Sequence, residues 1–399
     1  MSGNVKLGLP SGGSLTISGA DSASNLTVTI PAASDTVDLI NTAQTLTNKT
    51  ITAAGSNTVE ATSGPTSSQL AGNRNKIING AMMIDQRNAG AAITTGGYSV
   101  DRFQVINGTD GTFSAQQSTT TATGFINSLL WTTTAPDTSL AATQYAAIFH
   151  KIEGSNVSDL AWGSASAATI TLSFFVRSSL TGTFGGALSN SAGDRSYPFT
   201  YTISSANTFE YKTVTIPGDT TGTWLTTNGI GILVSFGLGT GTSRSGTAGS
   251  WMAGIAYSAT GATSVVGTNG ATFYITGVQL EKGATATPFE NRLYGTELAL
   301  CQRYYQQGFT WFGKFSAATS YYGYGTYQVE MRTAPTVTYI SGGSISEIGV
   351  ADRSVTAIPS YSGNNKGGYF QATVSGATTG NAGANAAGAP TVAGFSAEL

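Results

Sequence analysis

The sequence predicts an all-β chain: a thin N-terminal β segment and stalk, a central β-sandwich of jelly-roll type, and a smaller C-terminal β domain. Two observations carry that prediction. Apolar residues recur at alternate positions in many short runs bounded by Gly, Pro or Asn, the pattern of strands with one buried face. Charge is also scarce, at 10% of 399 residues against roughly 25% in average soluble domains. Thr, Ser, Ala, Asn and 52 Gly take its place, so the surface relies on uncharged hydrogen-bonding groups.

Residues 1–44 alternate at Leu15 and Ile17, and again at Leu26, Val28 and Ile30, before Pro31 and the polar run AASDT. So few large apolar side chains cannot bury enough surface to offset the entropy of ordering the segment. We expect it to need partner chains or a docking site. Residues 45–72, TLTNKTITAAGSNTVEATSGPTSSQLAG, are rich in Ser, Thr, Gly and Ala, are interrupted by Pro65 and read as a stalk or linker.

The central domain, 73–292, begins where Ile77, Ile78, Met82, Met83 and Ile84 arrive together, and its aromatic residues continue to Phe289. Ile170, Leu172, Phe174 and Val176 share one face of an alternating run, with Phe175 as the exception. Phe209 opens a similar run, as do Ile230 with Ile232, Val234 and Phe236, and Ala271 with the residues that follow. Many short, punctuated strands indicate a β-sandwich or jelly roll.

Residues 293–399 open with a short helix, ELALCQRYYQQ, in which Thr296 is placed to cap the first turn and Gly308 follows the last. Beyond it come Trp311, Phe312, the cluster YYGYGTY at 321–327, the run VEMRTAPTVTYI, and a Gly-, Ala- and Asn-rich tail. This is the second, smaller β domain.

Several function classes are excluded. A net charge of -2 and a pI near 5.4 leave no basic stripe to release counterions, so no nucleic-acid partner is expected. No apolar run approaches the length of about 18 residues that reads as a membrane span, so no membrane insertion is expected. Lys6 is followed by no apolar h-region, which predicts a chain that is made in a cytosol and stays soluble. Cys301 has no partner for an intrachain disulfide and His150 is the single imidazole; both read as structural.

No catalytic, cofactor or metal site emerges. A glycan-cleaving site needs two carboxyls about 5–9.5 Å apart, and Asp85, Asp101, Glu153, Asp194 and Glu210 form no recognisable pair. Asp85 with Arg87, and Asp101 with Arg102, read as structural ion pairs or turn-fixing groups. The Gly-rich run at 237–250 has no GK[ST] after it and reads as a flexible surface loop. No solenoid repeat is visible.

Ligand contact is read instead at aromatic faces. Trp311, Tyr321, Tyr322, Tyr324 and Tyr327 are the candidate ligand-binding residues, interleaved with Gly that lets a ligand approach. Tyr322, Tyr324 and Thr326 also alternate with Gly323 and Gly325 as a packed strand would, so core or intersubunit packing stands beside ligand contact. Trp131, Trp162, Trp224 and Trp251 divide in the same way between core packing and a sugar platform.

TAQTLTNKTI at 42–51 resembles a motif of phage tail-fibre and other virion fibre proteins. NKIINGAMMIDQRNAGAAITTGGYSVDRF at 75–103 resembles the opening of a module common in phage fibres, and FYITGVQLEKGATATPFENRLYGTELALCQRYYQQ at 273–307 resembles its close. MRTAPTVT at 331–338 and the final GFSAEL are similar to segments of the same family. The resemblance implies a jelly-roll module similar to carbohydrate-binding modules, an N-terminal part attached to the virion, and a homotrimer.

The expected role is a virion tail fibre, made in the host cytoplasm and not an enzyme. It docks on phage tail or adaptor proteins and attaches to the host through many weak contacts to a surface glycan or outer-membrane receptor. A purely structural fibre or decoration protein of the head, neck or baseplate is the alternative, with a glycan-depolymerising tailspike behind it.

Overall fold

The computed structural model describes residues 5–8, 14–17, 74–307, 311–340, 343–385 and 393–399. Within the first sixty residues, a unit of their own, strand Val5–Gly8 pairs antiparallel with Ser14–Ile17, with Leu7 opposite Leu15. The strand expected around Leu26–Ile30 and the stalk at 45–72 lie outside the described residues.

The second unit, which runs to Leu399, contains among the described residues two main hydrophobic cores and two small clusters. The larger core lies between two antiparallel sheets. One has seven strands in the order Met252–Ala253, Arg195–Ile203, Gly182–Ser189, Ile230–Thr240, Tyr145–Glu153, Phe103–Asn107 and Gly97–Val100. The other has five, in the order Glu210–Ile216, Ile170–Ser178, Thr272–Lys282, Ser128–Ala135 and Thr112–Ser118. The chain passes repeatedly from one sheet to the other, and rings from both meet between them. Phe174 of the five-stranded sheet lies 5.0 Å from Phe236 of the seven-stranded sheet, and Phe273 lies 6.0 Å from Phe184. This is a β-sandwich.

Ile170, Leu172, Phe174 and Val176 are all fully buried, as their alternation predicts. Thr171 and Ser173 on the opposite face are buried too, because the segment after Lys282 folds back over the sheet. Thr171 Oγ1 donates to Gly283 O at 2.8 Å, and Glu281 accepts from Thr287 N at 2.8 Å. The outer face of that strand is therefore half covered by the chain itself.

The Gly-rich run at 237–250, expected as a surface loop, is in part strand. Gly237–Thr240 completes the strand Ile230–Thr240, a 3-10 turn follows at Thr242–Arg244, and Ser245–Gly246 pairs with Ser258–Ala259. A Cβ on Gly241 would lie 2.0 Å from Ala141 O, so the glycine is there for close backbone packing.

The α-helix runs Tyr294–Gln302, starting before Thr296. Leu293 takes the cap position, without a side-chain cap bond. Tyr304 and Tyr305 are buried, and the chain straightens after the helix so that Tyr305–Gln307 pairs with Ala393–Ser396. The helix expected to reach Gln307 thus ends five residues early.

The C-terminal part of the second unit, called the C-terminal domain below, has a three-stranded sheet, Tyr305–Gln307, Ala393–Ser396 and Thr336–Tyr339, and a seven-stranded one. The latter has the order Ala351–Ser354, Ser344–Glu347, Ala382–Asn385, Trp311–Ala317, Ser320–Thr326, Gly367–Thr373 and Ala357–Gly363. Trp311, Phe315, Tyr321, Ile345, Phe370 and Phe395 form the smaller core.

A buried ionic clamp joins this domain to the sandwich. Glu398 accepts from Arg102 and, at 3.0 Å, from Arg87. Arg102 occupies a tight turn at φ 70°, stacks on Tyr304 with its guanidinium 3.6 Å from the ring centroid, and donates to Lys151 O. Glu153 receives Arg303 at 2.7 and 2.9 Å and the Tyr304 hydroxyl at 2.8 Å. Asp101, expected to pair with Arg102, pairs instead with Arg87 at 3.2 Å, since Arg102 is drawn to Glu398. Asp85 fixes a turn, accepting from Asn88 N at 2.9 Å and Gly90 N at 2.7 Å.

Candidate functional site

Strict two-residue alternation decides which aromatic side chains of the C-terminal domain meet solvent. In Trp311–Ala317, Trp311 and Phe315 point into the core while Phe312 and Lys314 point out. In Ser320–Thr326, Tyr321 and Gly323 point in while Tyr322, Tyr324 and Thr326 point out. In Gly367–Thr373, Phe370 and Ala372 point in while Tyr369 and Gln371 point out.

Pairing brings the outward residues into one row. Phe312 stands directly opposite Tyr324, and Tyr324 opposite Tyr369. Three rings thus span two strand spacings, about 10 Å. They are exposed to 65%, 65% and 42% respectively, and the Tyr324 and Tyr369 centroids are 5.8 Å apart. Tyr322 is half-buried in the next row, between Lys314 and Gln371.

The row forms one wall of an open cleft of about 810 Å³, whose rim carries Thr326, Ser362, Asn364 and Lys366. Glycine shapes its floor: a Cβ on Gly367 would lie 2.4 Å from Gly325 O. Adjacent exposed rings with hydrogen-bonding groups at their edge are suited to a ligand that has an apolar face and polar margins.

Of the five residues proposed from sequence, Tyr324 lines this cleft and Tyr322 borders it. Trp311, Tyr321 and Tyr327 face the core instead. The Tyr321 hydroxyl donates to Gly383 O at 2.9 Å, the Tyr327 and Tyr361 hydroxyls bond each other, and Trp311 packs on Phe370 with centroids 4.7 Å apart. Burial pushes the Tyr321 and Tyr327 hydroxyls well above the usual phenol range. Their positions follow from the period of two, which sends neighbours to opposite faces.

Phe312 and Tyr369 were missing from the sequence candidates. The available signal was the aromatic doublets Trp311–Phe312 and Tyr369–Phe370: in a strand, one member of each must face away from the core.

The sandwich carries two further aromatic groups. Trp162, Trp224 and Trp251 meet edge to face at 4.6, 5.3 and 5.5 Å. Each indole N–H donates to a backbone carbonyl, of Ala168, Thr221 and Pro217 in turn, so the trio staples loops together; Trp131 is fully buried. Phe125, Phe175, Tyr211 and Phe289 line a groove of about 530 Å³ outside the five-stranded sheet. Phe175, the residue that breaks the alternation, lies 4.9 Å from Tyr211.

The titratable groups weighed for catalysis are bound up structurally. His150 is buried against Phe103 at 4.7 Å, its Nε2 accepts from Ile78 N, and burial holds its pKa well below the usual imidazole range. Cys301 is buried, which pushes its thiol well up. Asp194 accepts from Asn190 at 2.6 Å, and Glu210 from Lys212 at 2.6 Å. Among the described residues no group of three or more His, Cys, Asp or Glu is placed to hold a metal.

No protein-family model matches the chain, and no curated protein does. Among solved structures it is similar to the enzymatically active domain of bacteriophage CBA120 tailspike protein 4, at 12% identity and TM-score 0.28. That match covers 53% of this chain but only 22% of the tailspike chain. It is also similar to the family 11 carbohydrate-binding module of the Clostridium thermocellum cellulase Lic26A-Cel5E, at 14% identity and TM-score 0.25, over 50% of this chain and 100% of that one. A third is the N-terminal cellulose-binding domain of Cellulomonas fimi β-1,4-glucanase C, at 15% identity and TM-score 0.22, over 46% and 90% of the two chains.

Proposed function

We propose that the chain is a non-enzymatic virion subunit, a phage tail fibre that attaches to the host surface by binding a glycan. In this reading the N-terminal segment docks on tail or adaptor proteins. The sandwich is the jelly-roll module that the fibre resemblance implies, and the C-terminal domain presents the binding cleft. The observation that carries the reading is the exposed row Phe312, Tyr324 and Tyr369 lining an open cleft with a polar rim.

A single shallow cleft of this kind binds weakly, so adhesion needs repetition. Three copies in a homotrimer let later contacts form at the effective concentration set by the first, and avidity exceeds the single-site affinity by about 10²–10⁴. The experiment is competition: purified chain added to host cells blocks phage adsorption, and Phe312→Ala with Tyr324→Ala does not block. Equal competition by both proteins rejects the cleft as the receptor site. A stable monomer of the full chain in mass photometry rejects the trimer.

The groove of Phe125, Phe175, Tyr211 and Phe289 supports a second reading, in which the sandwich holds the glycan. Tyr211→Ala then abolishes competition while Tyr324→Ala leaves it intact.

A further inference from the structure

The cleft residues include one charged side chain, Lys366, and no carboxylate. Asn364 fixes the turn that carries it: Asn364 Oδ1 accepts from Lys366 N at 2.8 Å, and Asn364 N donates to Gly367 O at 2.9 Å. On the other side of the aromatic row, two residues along the strand from Phe312, Lys314 stands opposite Tyr322. The row therefore runs between two exposed ammonium groups.

Four cations occur between residues 311 and 399. Arg353 pairs with buried Glu347 at 2.6 Å. Arg332 donates to three backbone carbonyls, of Ala397, Asn228 and Glu398. The other two are Lys314 and Lys366, and among the described residues neither is in an ion pair.

Of the acidic groups here, Glu330 sits beside the turn that carries Lys366 without forming an ion pair with it, and the others are engaged or placed elsewhere. Glu347 and Glu398 are engaged with arginines, and Glu330 accepts from Asn365 Nδ2 at 2.5 Å. Asp352 lies in the register of the aromatic row but three strands away, beyond Ala384 and Ser346. In a domain with so little charge, both unpaired cations flank the exposed rings.

We propose that the cleft takes an anionic polysaccharide. The rings hold apolar sugar faces, and Lys366 and Lys314 pair with carboxylate or phosphate substituents on either side of the row. This rests on the saccharide-binding reading of the same cleft. Each exposed ion pair contributes up to about fivefold in affinity, and salt screens it. The two together are worth roughly tenfold.

The test measures binding of the full chain to immobilised polygalacturonate, phosphomannan and dextran. It compares wild type, Lys314→Gln with Lys366→Gln, and Phe312→Ala with Tyr324→Ala. All four side chains are exposed or at the cleft rim, and unchanged melting establishes that the variants are folded. Wild type is expected to bind an anionic polymer in preference to dextran and to weaken as salt rises. The lysine variant loses roughly tenfold on that polymer and nothing on dextran, and the aromatic variant loses binding altogether. The carboxylate and phosphate arms report which anion is read.

Dextran bound as tightly as the anionic polymers, with the lysine variant unchanged, overturns the anion assignment and leaves the saccharide reading standing. Binding that survives in the aromatic variant, or is absent for every polymer, overturns the saccharide reading and the proposal with it.

Discussion

Glu398→Gln removes one charge from the clamp while keeping the side chain's shape. Its wild-type carboxylate serves Arg102, whose side chain is 1% exposed, and Arg87, at 15%. Leaving a buried guanidinium without its counter-charge costs roughly 3–5 kcal/mol. Three contacts hold the cost to the lower end: Arg102 keeps Lys151 O, it keeps the face of Tyr304, and the new amide still accepts. We expect a loss of about 3 kcal/mol, read by urea denaturation, and a melting point lower by roughly 5–10 °C.

The double variant Arg102→Met with Glu398→Leu replaces the pair by apolar groups and should recover most of that loss, since the buried charge is then gone. A single-variant cost below about 1 kcal/mol, the range of exposed pairs, would refute the claim that the clamp is desolvated. So would a double variant no more stable than Glu398→Gln.

The same packing sets four further outcomes. Burial, opposed by Arg87 and Gln86, pushes the Asp101 carboxyl up to about 6, so between the unfolded value and pH 6 the folded state binds the proton more tightly. This component of stability grows as pH falls, and wild type should gain about 2 kcal/mol relative to Asp101→Asn between pH 7 and pH 4.5 in paired denaturation curves. Tyr321→Ala, which empties a fully buried site, should cost roughly 3–5 kcal/mol, whereas Tyr324→Ala should stay within about 0.5 kcal/mol. Gly313→Ala places a Cβ 1.8 Å from Tyr322 O and should cost roughly 1–3 kcal/mol by forcing the strands apart, visible as a lower urea midpoint. Arg303→Met leaves Glu153, only 2% exposed, without its cation and should destabilise by roughly 3 kcal/mol.

Alternation made the sandwich legible: Ile170, Leu172, Phe174 and Val176 could be assigned to a core face from spacing alone, because a strand's period is two whatever surrounds it. The buried outer face at Thr171 and Ser173 could not, since it depends on where the segment after Lys282 folds. The helix end was misread for a similar reason. Glu297 to Gln307 has good local helix composition, but pairing with Ala393–Ser396, almost ninety residues away in sequence, takes its last residues into a sheet. At the cleft, Tyr324 was readable as a ligand candidate, whereas its neighbours Phe312 and Tyr369 required the register of three strands. Composition singled out the tyrosine cluster; only pairing tells which members share a face.

The clamp also imposes an order on biogenesis. Arg102 and Glu398 are 296 residues apart, and Ala393–Ser396 lies between two strands that are made before it. On a growing chain the sandwich can collapse around its own core while its buried arginine still waits for a counter-ion. The three-stranded sheet has two borders and no centre until the same late segment emerges. Contacts of such long range slow folding and prolong the exposure of unpaired edges. A ribosome that stalls before residue 393 would therefore release a chain with a formed sandwich and an unlatched second domain, a species that proteases could recognise and remove.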